Sequence, residues 1–170
     1  MTAITCACGE VLFEAVGAPM MSVICHCTSC RTAGQTLDAR SPVESIVDAA
    51  GGTWVVVWRK DRVRCVRGSD RLVAHRLSPD APSRRMVASC CGTPMFGDWT
   101  RGFWVSLYHG RVADAPPPSM RVMTSDVPAG VVIPDDVPHF RGRPSRFLVK
   151  LLTTWAAMGF RKPRISGVAD

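Results

Sequence analysis

Short apolar runs separated by Gly, Pro and Asp dominate the first two thirds of the chain. These runs are brief and rich in β-branched and aromatic residues, a pattern that is typical of strands. The predicted strands are 10–16, 20–25, 53–58, 63–66, 72–77 and 103–108. One short helical turn is predicted after Cys27, through residues 29–33. The pattern therefore predicts a mainly β, antiparallel domain over residues 1–110.

Prolines interrupt the next segment, residues 111–144, so we expect an arm or linker with few regular elements between 114 and 143. Pro lacks an amide hydrogen and ends most helices and strands. The segment holds a Pro triplet at 116–118 and further prolines at 128, 134, 138 and 144. No other low-complexity tract and no internal repeat stands out.

Helical periodicity returns in residues 145–160, where Ser145 is predicted to cap a helix and Gly159 to end it. The residues of its apolar face recur at spacings of three and four: Phe147, Leu148, Leu151, Leu152, Trp155 and Met158. Basic residues flank this face: Arg141, Arg143, Arg146, Arg161, Lys162 and Arg164. Such a helix packs on its own domain, joins two subunits of a homodimer, or lies on a membrane surface.

Composition narrows the class of protein. The chain has 170 residues, 46% of them hydrophobic and 21% charged, which is ordinary for a soluble globular protein. No run approaches the roughly 20 apolar residues of a membrane-spanning helix, and no secretory signal is recognisable at the start, so we expect a cytoplasmic protein. The net charge of +7 would suit nucleic acid, an acidic membrane surface or a carboxylate-bearing substrate, but it equally describes an Arg-rich solvated surface.

Seven of the eight cysteines fall into three tight clusters, and Cys65 stands alone. The clusters are Cys6-Ala7-Cys8-Gly9, Cys25-His26-Cys27-Thr28-Ser29-Cys30 and Cys90-Cys91-Gly92. Thiols two or three residues apart on a turn can aim at one tetrahedral zinc ion, a spacing that disulfides seldom use. In a reducing compartment, clustered thiols are metal ligands or redox groups more often than a disulfide framework.

The order of these motifs between short strands resembles the glutathione-dependent formaldehyde-activating enzyme family, which includes the centromere protein V relatives. The matching motifs are Cys6-Ala7-Cys8-Gly9, Cys25-His26-Cys27-Thr28-Ser29-Cys30-Arg31 and Cys91-Gly92-Thr93-Pro94, and the pair Gly51-Gly52 also fits. The resemblance covers roughly residues 4–108. Its Cys-Cys-Gly-Thr-Pro third motif is similar to that of a divergent branch.

The resemblance implies an Mss4-like β fold with one or two zinc ions. It implies a structural zinc held by Cys6, Cys8 and Cys91, and a second zinc held by Cys25, Cys27 and Cys30 with one position open. Three protein ligands and an open position are the usual catalytic arrangement. In such enzymes a small thiol, glutathione, binds at the open position as a thiolate and adds to formaldehyde, so the implied class is a carbon–sulfur lyase. Arg31 matches the family motif, so the resemblance implies that it helps retain an anionic thiol substrate or raises the thiolate character nearby. The alternative is a solvated Arg on the surface.

The third motif departs from the family pattern, because Ala88 stands where a cysteine is usual and Cys90 is present instead. Three alternatives follow. Cys90 replaces the missing fourth ligand, or three thiolates and a water hold the first zinc, or Cys90 joins the second zinc and closes it. Neighbouring residues of a strand point to opposite faces, so the first alternative requires a sharp turn between Cys90 and Cys91.

Other candidates are weaker. His26 lies between two candidate ligands and could bind zinc or relay a proton, although its side chain is expected to point away from the flanking sulfurs. Cys65 is predicted to be a small buried residue. The aromatic residues Trp54, Trp58, Trp99, Phe103 and Trp104 are predicted to lie in the core or, for one of them, along a substrate cleft. Two other functions stay open: a zinc-stabilised binding module without activity, and a redox protein that uses Cys27 and Cys30 as a dithiol.

Overall fold

The structure, a computed structural model, describes residues 1–41 and 43–168, and ten strands and two α-helices follow one another in these residues. In chain order they are β1 (Thr2–Thr5), β2 (Leu12–Ala15), β3 (Met21–Cys25), α1 (Thr28–Asp38), β4 (Thr53–Arg59), β5 (Val63–Arg67), β6 (Leu72–His75), β7 (Ser83–Ala88), β8 (Thr93–Trp99), β9 (Trp104–Tyr108), β10 (Arg121–Val122) and α2 (Ser145–Ala157). The prediction of a mainly β fold is confirmed.

The strands form two sheets. A three-stranded sheet has the order β1-β2-β5, and a seven-stranded sheet has the order β10-β3-β4-β9-β8-β7-β6. All pairings are antiparallel except that of β10 with β3, which is parallel. Most residues of β4 are buried, as expected for a strand covered on both faces.

Apolar side chains fill both faces of the larger sheet. One cluster lies between the two sheets and includes Phe13, Trp58, Phe96 and Leu107. The other brings Leu37 of α1, Met120 of the arm and Phe147 of α2 onto the opposite face. The Pro-rich arm and both helices thus cover the side of the large sheet that the small sheet leaves open.

All six predicted strands have a counterpart, but the pattern missed β1, β7, β8 and β10. Charged and turn-forming residues interrupt the apolar pattern of β7 and β8, so these strands cannot be recognised from the sequence. Asp98 of β8 is buried between Lys60, whose Nζ lies 2.7 Å from its carboxylate, and Arg84 of β7, at 2.9 Å. Because these charges neutralise one another inside the fold, a polar sequence forms a buried strand pair.

The helix α1 is longer than predicted: it runs over eleven residues, Thr28–Asp38, and not over one turn. Its polar residues hide the periodicity, and tertiary packing stabilises it instead. Ala33, Gly34 and Leu37 are buried, and a Cβ on Gly34 would lie 2.5 Å from the Val47 side chain. The missing side chain therefore permits close packing of α1 against the segment before β4.

The helix α2 ends as predicted but begins differently. Pro144 occupies the N-cap position and Ser145 is the first helical residue, so the prediction that Ser145 caps the helix was wrong. The fixed φ of Pro144, −67° here, already suits the entry into a helix. Gly159 follows the helix with a positive φ of 64°.

The arm before α2 has few regular elements, as expected. It contributes β10 to the edge of the large sheet and one 3-10 turn, Thr124–Asp126, near α1. The boundaries of the three predicted regions, 1–110, 111–144 and 145–160, stay predictions. Within the described residues, neither α-helix combines the length and apolarity needed to cross a bilayer.

Candidate metal centres

Four cysteines meet where two hairpin turns approach each other. Cys6 and Cys8 lie in the turn between β1 and β2, and Cys90 and Cys91 lie in the turn between β7 and β8. Their sulfur atoms all lie within 4.8 Å of one another. The Sγ–Sγ distances are 3.5 Å for Cys6–Cys8, 3.4 Å for Cys8–Cys90, and 3.9 Å for both Cys6–Cys90 and Cys90–Cys91.

These separations fit a tetrahedral thiolate site. Four sulfurs placed about 2.3 Å from one zinc ion lie about 3.8 Å from each other. The donor set is soft and contains sulfur alone, which selects zinc or a similar thiophilic ion over magnesium or calcium. The turns of two different sheets supply it, so an ion bound here would hold the two sheets together. We call this group the four-cysteine site.

The local backbone explains how adjacent cysteines reach one point. The Gly92 amide donates to the Ala88 carbonyl at 2.8 Å, and Gly92 has a φ of 69°. Ala88 itself is fully buried in β7 and pairs with Thr93. The sharp turn that the first Cys90 alternative requires is therefore present, and Cys90 lies with Cys6, Cys8 and Cys91.

Hydrogen bonds orient the sulfurs and change their acidity. The Val11 amide donates to Cys6 Sγ at 3.2 Å, and the Thr93 hydroxyl lies 2.9 Å from Cys91 Sγ. Burial opposes ionisation of Cys91, but the bond to Thr93 and backbone amides outweigh it and lower its pKa to about 6. Burial, followed by a hydrogen bond with Cys8, raises the pKa of Cys90 to about 12. Without an ion, the group thus favours a mixture of thiolate and thiol.

A second group, the three-cysteine site, lies where β3 meets α1. Cys25 ends β3, Cys27 is the N-cap residue of α1, and Cys30 lies in its first turn. The three sulfurs lie within 4.8 Å of one another. The Cys30 amide donates to Cys27 Sγ at 3.4 Å. The sulfurs thus lie at the positive end of the helix dipole, which favours thiolates.

The three thiols concentrate negative charge on Cys27. Hydrogen bonds from the thiols of Cys25 and then Cys30 lower the pKa of Cys27 far below its usual range, and the positive charge of Arg143 contributes. The same contact with Cys27 raises the pKa of Cys25 to about 12, and hydrogen bonding with Cys25 also raises that of Cys30. A thiolate that accepts hydrogen bonds from two thiols forms an anionic site that can attract a cation.

Side chains from a distant strand and from the arm support the first turn of α1. Arg85 of β7 is buried, and its Nη2 donates to the carbonyl (3.1 Å) and the hydroxyl (2.7 Å) of Ser29, between Cys27 and Cys30. Asp126 of the arm accepts from the Thr28 amide at 3.0 Å. These contacts fix the loop that carries two of the three sulfurs.

His26 points away from the sulfurs, as expected. Its ring is fully buried, and its Nε2 lies 3.1 Å from Nη1 of Arg121 on β10. Arg121 also bonds the carboxylates of Asp48 at 2.7 Å and Asp136 at 2.8 Å. Burial lowers the pKa of His26. Neither group of sulfurs that could hold an ion, among the residues described, includes His26.

Arg31 follows Cys30 on α1 and is half-buried. Its Nη1 donates to the Asp126 carbonyl at 2.5 Å, and its methylene groups lie over Gly51, where a Cβ would approach Arg31 Cδ to 3.0 Å. Gly51 thus leaves room for Arg31 to cross from α1 to the arm.

Cys65 lies on β5, outside both sites, and it is only partly buried, so the expectation of a buried residue was wrong. Its strand is at the edge of the small sheet, and the side chain packs partly against the core cluster that contains Phe13. Among the aromatic residues, Trp58 and Phe103 are buried as expected, Trp54 and Trp104 are half-buried, and Trp99 is exposed.

Sequence reasoning missed the residues that support the three-cysteine site: Ser29, Arg85, Asp126 and Arg143. They come from α1, an unrecognised strand and the arm. No spacing along the chain links them to the cysteines. A strand prediction for 83–88 would have been the one useful signal, because it places Arg84 and Arg85 on opposite faces.

Fold and sites together define a mainly β protein with two all-cysteine groups that could each hold a metal ion. The model of the glutathione-dependent formaldehyde-activating enzyme family matches residues 1–125, and the chain belongs to this family. A comparison with curated proteins found no match. Among solved structures, a protein of Rhodobacter sphaeroides is similar at 18% identity and a TM-score of 0.45, over 82% of this chain and 99% of that one.

Proposed function

We propose that the chain is a zinc-dependent carbon–sulfur lyase that forms or cleaves the S-hydroxymethyl adduct of a small thiol, with glutathione as the thiol and formaldehyde as the aldehyde. Family membership supports the substrate pair, because the family is named for it. The observation that carries the proposal is the unequal size of the two sites: one holds four sulfurs and the other three.

This difference assigns a role to each site. Four thiolates complete a tetrahedral shell, so we assign the structural zinc to Cys6, Cys8, Cys90 and Cys91. Three thiolates leave one position open, so we assign the catalytic zinc to Cys25, Cys27 and Cys30. When bound there, zinc would accept a thiol in the open position and favour its deprotonation.

The chain's own residues would hold this site in shape. Arg85 and Asp126 fix the turn between Cys27 and Cys30 through Ser29 and Thr28. The helix dipole of α1 and the cation of Arg143 reduce the repulsion between the thiolates. We further assign Arg31, one residue beyond Cys30, to retain the anionic thiol substrate through its charge.

The net reaction balances without a further reactant. The thiol sulfur bonds to the formaldehyde carbon, the carbonyl π electrons move to oxygen, and the thiol proton ends on that oxygen. The reverse reaction breaks the carbon–sulfur bond. Seven cysteines that act as metal ligands must stay reduced, which suits a reducing compartment, and we propose the cytoplasm.

The test compares Cys27→Ser with Cys8→Ser. We expect wild-type protein to retain two zinc ions per chain by elemental analysis. Cys27→Ser should lose one ion and the turnover of glutathione plus formaldehyde but keep its circular dichroism spectrum. Cys8→Ser should lose the fold together with its ion, because structural zinc binding is part of the folding free energy. Cys65→Ser, outside both sites, is the control.

Two results would count against this assignment. Identical behaviour of the two variants would mean that the sites do not have separate roles. One zinc per chain and no turnover in wild-type protein would favour a zinc-stabilised binding module.

A further inference from the structure

An apolar stripe on α2 remains exposed although the helix is packed on the domain. Leu148, Val149 and Leu152 are 51%, 57% and 58% exposed, and Ala156 continues the stripe one turn on. At 100° per residue these four side chains lie on one side of the helix. We call them the α2 stripe. It is contiguous, and a contiguous apolar patch marks an interaction site more often than scattered apolar residues do.

The opposite side of the helix fixes this orientation. Phe147 and Met158 are buried, and the Trp155 ring is parallel to that of Phe103, with centroids 5.9 Å apart. The apolar face that the sequence predicts therefore divides into a part that packs on the domain and the α2 stripe. The stripe is therefore exposed on a helix that already packs on its own domain.

The net positive charge of the protein comes from the segment of the chain that contains the stripe. Residues 137–168 contain no Asp or Glu, and their seven cations are Arg141, Arg143, Arg146, Lys150, Arg161, Lys162 and Arg164. Since the chain has 21 Lys and Arg against 14 Asp and Glu, the rest of the chain holds 14 of each sign. The whole net charge of +7 thus belongs to the segment that presents the α2 stripe.

We propose that α2 lies on an anionic bilayer surface, with the α2 stripe among the upper acyl chains and the surrounding cations at the lipid headgroups. An exposed apolar stripe flanked by Lys and Arg is the pattern of interfacial helices. A second copy suits the face less well, because this segment of both copies carries cations and no acid that could pair with them. Nucleic acid would use the cations but leave the leucines exposed.

The proposal is independent of the zinc chemistry, and vesicle sedimentation tests it with the full chain. We expect binding to vesicles that contain a fifth of phosphatidylserine and little binding to pure phosphatidylcholine. Leu148→Gln with Leu152→Gln should weaken binding about 100-fold, at about ten-fold per half-buried leucine. Arg146→Gln with Lys150→Gln should weaken it about 25-fold, at about five-fold per cation.

Matched variants elsewhere separate the stripe from general effects. Val66→Gln with Val73→Gln removes two exposed apolar residues of β5 and β6, and Arg71→Gln with Arg101→Gln removes two exposed cations. Both should bind anionic vesicles within about two-fold of wild type, since screening confines surface attraction to roughly 10 Å. Unchanged circular dichroism shows that the leucine variant is folded.

Three outcomes would overturn the proposal. The first is absence of binding to anionic vesicles by folded wild-type protein. The second is a dimer in analytical ultracentrifugation that the leucine variant abolishes, which would assign the stripe to a second copy. The third is salt-sensitive binding to duplex DNA that is tighter than binding to vesicles and is unchanged by the leucine substitutions. This result would assign the cations to nucleic acid.

Discussion

Replacing Cys90 tests whether the four-cysteine site is complete. Its sulfur lies 3.4 Å from that of Cys8 and 3.9 Å from those of Cys6 and Cys91, so it occupies one corner of the tetrahedron. Cys90→Ser replaces a soft thiolate by a hydroxyl, whose oxygen is a much poorer zinc ligand. The turn and its hydrogen bonds should persist, since Ser is nearly isosteric with Cys.

The expected loss follows from the ligand count. A structural zinc contributes about 10–16 kcal/mol of binding free energy that is available only in the folded state. If four sulfurs share it evenly, the loss of one costs about 2.5–4 kcal/mol, a large part of the roughly 5–15 kcal/mol that stabilises a domain. For a chain of this size the midpoint of thermal unfolding should fall by about 5–16 °C.

The assay is a thermal melt followed by circular dichroism at pH 7, with zinc counted on the same sample. Cys65→Ser is the control and should melt within about 2 °C of wild type, because Cys65 is partly exposed and belongs to neither site. A Cys90→Ser protein with unchanged zinc content and an unchanged midpoint would refute the assignment and leave three thiolates and a water at the first zinc.

Three further predictions concern the support of the fold. Arg121→Met should lower the free energy of unfolding in urea by about 2–4 kcal/mol, because it leaves two carboxylates and His26 without their cation; a change below about 1 kcal/mol would contradict this. The hydrogen bond from Arg121 lowers the pKa of Asp136 to about 2, below its unfolded value, so the stability that Asp136 contributes is complete above about pH 4 and disappears toward pH 2. The stability difference between wild type and Asp136→Asn should therefore shrink between pH 7 and pH 2, and a constant difference would contradict the pairing. Gly52→Ala should destabilise by about 1–3 kcal/mol, because its Cβ would lie 2.7 Å from His26 Cε1, whereas Gly142→Ala, with open space around it, should change stability by less than about 0.5 kcal/mol.

The proximity of the cysteines within each turn could be predicted from the sequence because that geometry is local. Cys6 with Cys8, and Cys25 with Cys27 and Cys30, lie on single turns, so their spacing alone brings their sulfurs close. Short apolar runs likewise predicted six strands, since strand periodicity is a property of a few neighbouring residues. The same holds for α2, whose apolar positions recur over about three turns.

Predictions failed where long-range contacts outweigh local preference. The buried charges of Arg84 and Asp98 hide β7 and β8, because a local pattern cannot reveal that Lys60 will compensate them. The packing of Ala33, Gly34 and Leu37 extends α1 through a polar sequence. Ser145 has the preference of an N-cap residue, but Pro144 occupies that position and Ser145 is the first residue of the helix.

The sequence by itself determined which cysteines can share an ion within each turn, the mainly β class and the presence of an amphipathic C-terminal helix. Only the tertiary structure decided that the Cys6 and Cys90 turns, 84 residues apart, form one group of four sulfurs. It alone also decided which half of the α2 apolar face is covered, and that Arg85 and Asp126 support the three-cysteine site. Spacing specifies contacts along one turn, but contacts between turns depend on how whole sheets and helices pack.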